Sequence, residues 1–99
     1  MKIVYTPRAE RQIEILLAIG FERFGARVAA QKIRRLRSFM RLTVGQFPRT
    51  SRYHMDIDAF ETWIPGTPFI VYYRLEEAAK LIRVVAVFHH GKDRADFVP

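Results

Sequence analysis

The run Leu81 to His89, LIRVVAVFH, constrains this chain most. Val84 and Phe88 alternate with Val85 and Val87, so a strand built from them is apolar on both faces. That is the pattern of a central strand, flanked by others, and not of a half-exposed edge. The chain supplies the neighbours. Phe60 to Ile64 and Phe69 to Leu75, FIVYYRL, both read as strands, separated by the turn signal Pro65–Gly66–Thr67. The short connection EEAAK then leads into Leu81. Near the start, Lys2 to Thr6, KIVYT, has the β-branched and aromatic content of a fourth, short strand.

Between the first strand and the other three the period changes from two to 3.6. Thr6 followed by Pro7 is a helix start, a hydroxyl N-cap and then proline at the first helical position. Ala9, Ile13, Leu16, Leu17, Gly20 and Phe24 then recur at helical spacing up to Gly25, whose missing Cβ suits a C-terminal cap. Ile15 and Ile19 lie off that face. A second helix is predicted from Ala26 to Val44, with Ala29, Ile33, Leu36, Met40 and Thr43 on one side and Gly45 as its stop. Arg27, Arg34 and Arg41 fall seven residues apart on nearly the opposite side, with Arg37 between them. Two long helices joined by almost nothing form an antiparallel hairpin. Gln46 to Ala59 is polar and reads as irregular. The expectation is a single α+β domain spanning residues 1–99: an N-terminal strand, a two-helix antiparallel hairpin, then a three-stranded antiparallel meander, with the helices packed on one face of a mostly antiparallel sheet.

The chain has no cysteine, which excludes disulfides and cysteine-based zinc. It shows no signal-peptide pattern at its start and no run long enough to span a bilayer, so a cytoplasmic location is expected, without membrane association. Seventeen basic against ten acidic side chains give +7, a substantial field on so small a body. It favours nucleic acid, the ribosome, an anionic membrane or an acidic protein partner.

The polar clusters are less decisive. His89 and His90 are consecutive at a strand end and are expected to point to opposite faces, which does not clamp a metal. His54, Asp56 and Asp58 alternate without a convincing ligand spacing, so no metal and no cofactor are expected. The histidines have a pKa suited to acid–base work, but His before Gly is also a good way to end a strand. Arg74 and Arg83 stand inside strands. If the last two strands pair, Tyr73 is expected across from Arg83, where an aromatic beside a guanidinium can stack a base or grip a carboxylate. The alternative for Arg83 is an ion pair with an acid such as Asp56 or Glu61. No glycine-rich phosphate loop and no Ser–His–Asp order is present.

Taken together, the opening strand with TPRAERQI, the two long helices, PFIVYYRLEE and LIRVVAVFHHGKD resemble the RelE/ParE superfamily of bacterial toxins over nearly the whole chain. The resemblance implies a toxin of a type II toxin–antitoxin system, neutralised by a cognate antitoxin with an acidic tail. Ile15 and Ile19 would anchor that antitoxin, with Arg34 and Arg41 as cationic contacts. The superfamily has two branches. RelE-like members cleave mRNA on the ribosome through basic side chains and often a tyrosine near the C-terminus; ParE-like members poison DNA gyrase. Here no tyrosine follows Tyr73, and Phe97 stands where a phenol is wanted. The ending HHGKD also looks ParE-like. The resemblance therefore implies a gyrase-directed toxin whose target-binding residues are Tyr73, Arg74, Arg83, Lys92 and Arg94. Under the mRNA endonuclease alternative, Arg83, His89 and His90 would be catalytic. A homologue that binds without toxicity is the third reading.

Overall fold

The computed structural model covers Met1 to Pro99. Strand β1 (Lys2–Tyr5) leads into helix α1 (Pro7–Phe24), then helix α2 (Ala26–Phe39), which continues into one wide π turn, Met40–Val44. Four strands follow: β2 (Arg52–His54), β3 (Ala59–Trp63), β4 (Phe69–Glu76) and β5 (Leu81–His89). They form one five-stranded sheet in the order β1-β5-β4-β3-β2.

The helix signals act as expected. The Thr6 hydroxyl accepts from the Ala9 N–H at 3.1 Å, satisfying a donor that the first turn leaves free. Gly25 sits at φ 87°, a conformation costly for any residue with a Cβ, and this single residue turns α1 into α2. The two helices also touch closely along their length. A Cβ at Gly20 would stand 3.2 Å from that of Ala29.

Two features depart from the sequence reading. The segment expected to be irregular contains β2, whose Tyr53 and His54 pair antiparallel with Phe60 and Ala59. The meander therefore has four strands, not three. In addition, β1 joins the sheet parallel to β5, with Lys2 opposite Leu81 and Tyr5 opposite Val84. The sheet is mixed. A strand separated from its neighbour by a helical hairpin can enter in the same direction, whereas the tight turns among β2 to β5 permit only antiparallel pairing.

A bulge in β5 corrects the expected alternation. Tyr72 faces Ala86 but Tyr73 faces Val84, leaving Val85 as an extra residue. Val84 and Val87 therefore point to the same side of the sheet, and Val85, Ala86 and Phe88 to the other. On the helix side, Ile13, Ile33, Leu36 and Met40 pack on Phe69, Val71, Tyr73, Ile82 and Val84 in the main core. On the far side Ile70, Tyr72, Val85, Ala86 and Phe88 form a smaller cluster, with Ile57 and Phe97 packed against it. No helix of the chain is long and apolar enough to cross a membrane.

Candidate functional site

The far side of the sheet gathers most of the polar chemistry. Alternation along β3 and β4 places Glu61, Trp63, Tyr72 and Arg74 there, because their neighbours Phe60, Thr62, Val71 and Tyr73 are claimed by the core. Glu61 is the hub. It accepts from His54 Nε2 at 2.9 Å, from the Tyr72 hydroxyl at 2.9 Å and from Trp63 Nε1 at 2.6 Å. Burial alone would raise the Glu61 pKa, but these three donors outweigh it and hold the carboxyl below its ordinary range. Tyr72 in turn accepts from Arg94 Nε at 3.1 Å. Burial keeps the Tyr72 phenol above its usual range against the pull of Arg94, and the Glu61 carboxylate adds to the rise.

Arg74 and Arg83 lie directly opposite each other on the same side, where two unpaired guanidinium groups would repel. Each has its own partner. Arg74 donates from Nε to the Asp58 carbonyl and from Nη2 to the Ile57 carbonyl, both at 3.0 Å. Arg83 pairs with Glu76, which it holds below the usual carboxylate range. Neither Asp56 nor Glu61 is its partner. Beyond this pair lies a cleft of about 550 Å³ lined by Arg49, Tyr53, Asp58, Phe60, Arg74 and Glu76, among others.

Tyr73 is not across from Arg83. The register running from the β4–β5 turn sets it opposite Val84, on the helix side, fully buried, with its hydroxyl donating to the Pro48 carbonyl at 2.7 Å. It stacks on Phe60 at 5.2 Å and is part of the core, with no ring to offer a partner. Of the expected target-binding residues, Arg74, Arg83 and Arg94 share the far face, and Lys92 is exposed in the turn after β5.

The histidines are also placed differently from the expectation. His89 ends β5 and His90 enters the turn, so their rings do not oppose each other but stack at 4.7 Å. His90 stacks further on Trp63 at 6.3 Å, and His89 Nδ1 accepts from the Gly91 N–H at 3.1 Å. Partial burial, then the neighbouring His90 and Arg23, push the His89 pKa down. Arg83 lies six residues back along β5, roughly 20 Å away at the rise of a strand. The geometry does not bring Arg83, His89 and His90 into one site. No three His, Asp or Glu side chains converge in a manner suited to a metal ion.

A second surface lies on the helix side. An apolar groove of about 250 Å³ runs between α1, α2 and the start of β4, lined by Leu16, Ile19, Phe24, Val28 and Phe69. The charged or titratable groups at its wall are Arg23, Lys32 and His89, with no acid among them. Ile19 is 45% exposed and Ile15, one turn earlier, 59% exposed. Arg34 and Arg41 do not line this groove. They flank Arg37, which binds Glu10 and lies over the Tyr5 ring at 4.7 Å. That side of α2 is turned away from Lys32. The α2 cation at the groove is Lys32, which the sequence reading passed over because it lacked the arginines' seven-residue repeat.

The model of the family described as the ParE toxin of type II toxin–antitoxin systems, parDE, matches residues 3–94. The chain belongs to this toxin family, within the RelE/ParE superfamily. A comparison with curated proteins returns no match. Among solved structures, the chromosomal ParDE toxin–antitoxin system of P. aeruginosa is similar with a TM-score of 0.71 at 15% identity, covering 90% of this chain and 95% of that one. The toxin–antitoxin complex RelBE2 of Mycobacterium tuberculosis gives 0.63 at 18% identity, covering 89% and 95%. The intact RelBE complex of E. coli gives 0.57 at 14% identity, covering 92% and 98%. At these identities the structural likeness concerns the fold, which both branches of the superfamily share.

Proposed function

We propose that this ParE-family toxin acts on DNA gyrase and is held inactive by a cognate antitoxin carrying an acidic, amphipathic segment. The observation that carries the target reading is the scatter of the acid–base groups. A nuclease of the endonuclease branch needs a general acid and base within reach of one phosphate. Here His89 and His90 stand at the end of β5 remote from Arg83, and Glu61 has its oxygens taken by three donors. What the far face offers instead is three arginines, Arg74, Arg83 and Arg94, against the two carboxylates Glu61 and Glu76. A face of this kind suits recognition of an anionic macromolecular surface.

The antitoxin reading rests on the groove between the helices and β4. An apolar channel rimmed by the cations Arg23 and Lys32 and by no acid suits a helix that brings aliphatic anchors and acidic flanks. Ile15 and Ile19 extend that apolar strip outward. Arg34 and Arg41, on the other side of α2, would contact only an antitoxin long enough to wrap around the hairpin.

Expression of the chain without antitoxin tests the target. DNA replication should stop while translation continues, and the purified protein should inhibit gyrase supercoiling. Early arrest of translation with codon-phased mRNA cuts would replace this reading with the endonuclease, and a harmless protein would point to a binding homologue.

A further inference from the structure

The last residues of the chain do more than trail off. Phe97 seats its ring against Tyr72 at 4.8 Å and Phe88 at 5.3 Å, covering the smaller apolar cluster on the side of the sheet that the helices leave open. Arg8, from the first turn of α1, lies over the outer face of Phe97 at 4.9 Å and donates to the Val98 carbonyl at 2.6 Å. From the other side Arg94 reaches inward to the Tyr72 hydroxyl and donates to the carbonyls of His90 and Lys92 at 3.3 and 3.1 Å. The segment is thus fastened by one ring and two guanidinium clamps. Its own backbone bonds are local, such as Phe97 N–H to Arg94 carbonyl at 3.0 Å, and it makes no ladder with the sheet. A segment attached in this way opens locally at far less cost than the core.

Closure has a definite effect beneath it. Tyr72 is only 5% exposed, and Arg94 faces inward to it, although Tyr72 lies two residues along β4 from Arg74 on the same side of the sheet. We propose that Asp93–Pro99 is a releasable strap. Closed, it masks the Tyr72 phenol and ties up Arg94. Open, it presents both with Arg74 and Arg83 on one cationic, aromatic face. This adds regulation to the target-binding face of the proposed toxin and rests on that reading only for the second readout below.

Nitration by tetranitromethane, read tyrosine by tyrosine by peptide mass spectrometry, tests the strap directly. Tyr53, 48% exposed, and Tyr73, fully buried, serve as internal references. In the full chain Tyr72 should react slowly. In Phe97→Ala, and independently in Arg8→Gln, it should react about tenfold faster, the scale expected when a half-buried ring or its clamp is removed. Tyr73 should stay protected in all three. An unchanged Tyr72 rate in both variants overturns the strap, and so does a parallel rise at Tyr73, since that would be global loosening. In gyrase supercoiling assays the opened variants should inhibit at several-fold lower concentration than the full chain. Equal potency despite faster Tyr72 nitration would refute the masking of a target face. If no form of the protein inhibits gyrase, the target assignment fails while the nitration result still decides the strap.

Discussion

Glu61→Gln perturbs the far face at its hub. The carboxylate accepts from three donors, His54, Tyr72 and Trp63, and its side chain is 10% exposed. An amide of the same shape keeps one acceptor oxygen and puts a second N–H group where a donor already points. At least one partner loses its acceptor in a half-buried patch, at a cost of about 1–3 kcal/mol. For a small domain that is a loss of roughly 1 M in the urea midpoint, or several degrees in Tm. The acid limb should change too. The folded pKa of Glu61 lies below the ordinary glutamate value of 4.5, so the unfolded chain binds its proton more readily. The group therefore contributes stability above about pH 4.5, and that contribution disappears as pH falls through the folded value. The variant should lose stability at neutral pH and fall less steeply below pH 4.5, the two proteins converging in acid. Urea unfolding followed by Trp63 emission and by far-ultraviolet circular dichroism measures both effects, with the second probe needed because Trp63 itself donates to Glu61. Equal midpoints at pH 7 together with parallel pH profiles would show that the three hydrogen bonds are not what holds this face.

Three further outcomes follow from the same geometry. Gly20→Val should destabilise by about 1–3 kcal/mol in thermal unfolding, because its branches meet Ala29 across the helix pair, whereas Gly20→Ala should be close to neutral as helix propensity offsets the tight contact. Ile19→Asp should weaken antitoxin binding by at least about tenfold in calorimetry, while Arg34→Ala and Arg41→Ala change it by about twofold or less, since neither lines the groove. His89→Ala and His90→Ala should leave growth arrest intact in a titrated expression assay; loss of toxicity in both would restore them to the mechanism.

The layer architecture was legible in the sequence because each element carries its own signal: Thr6–Pro7 to start α1, Gly25 to divide the hairpin, and the apolar run of β5 to demand neighbours. The partners of the strands were not. Nothing local in Lys2–Tyr5 says that it lies parallel to β5, because that pairing joins residues nearly eighty positions apart. Strand β2 escaped notice since an edge of three residues, Arg-Tyr-His, has no apolar alternation to display. The register of β4 against β5 had the largest consequence for the site. Placing Tyr73 across from Arg83 missed the register by one residue: Arg74 faces Arg83, and along β4 Tyr73 turns to the helix side while Tyr72 turns to the far one. The Glu61 hub was missed for a related reason: its donors come from β2, β3 and β4, and only the completed register assembles them.

The bulge also explains why the two sides of one small sheet have such different roles. Without it, Val85 and Val87 would lie together on one side and Val84, Ala86 and Phe88 on the other. With it, Val84 and Val87 complete the core against the helices, and Val85, Ala86 and Phe88 are left on the side that no helix reaches. That face is too apolar to remain bare, yet it also carries Arg74, Arg83 and the Glu61 network, which a covering helix would bury at high cost. A short detachable segment resolves the conflict. Phe97 covers the apolar part, and the exposed guanidinium groups remain at its margin. On this view the function of the chain is concentrated where packing is least complete, and the groove proposed for the antitoxin, on the opposite side, is built from helix positions that the same core had no need of.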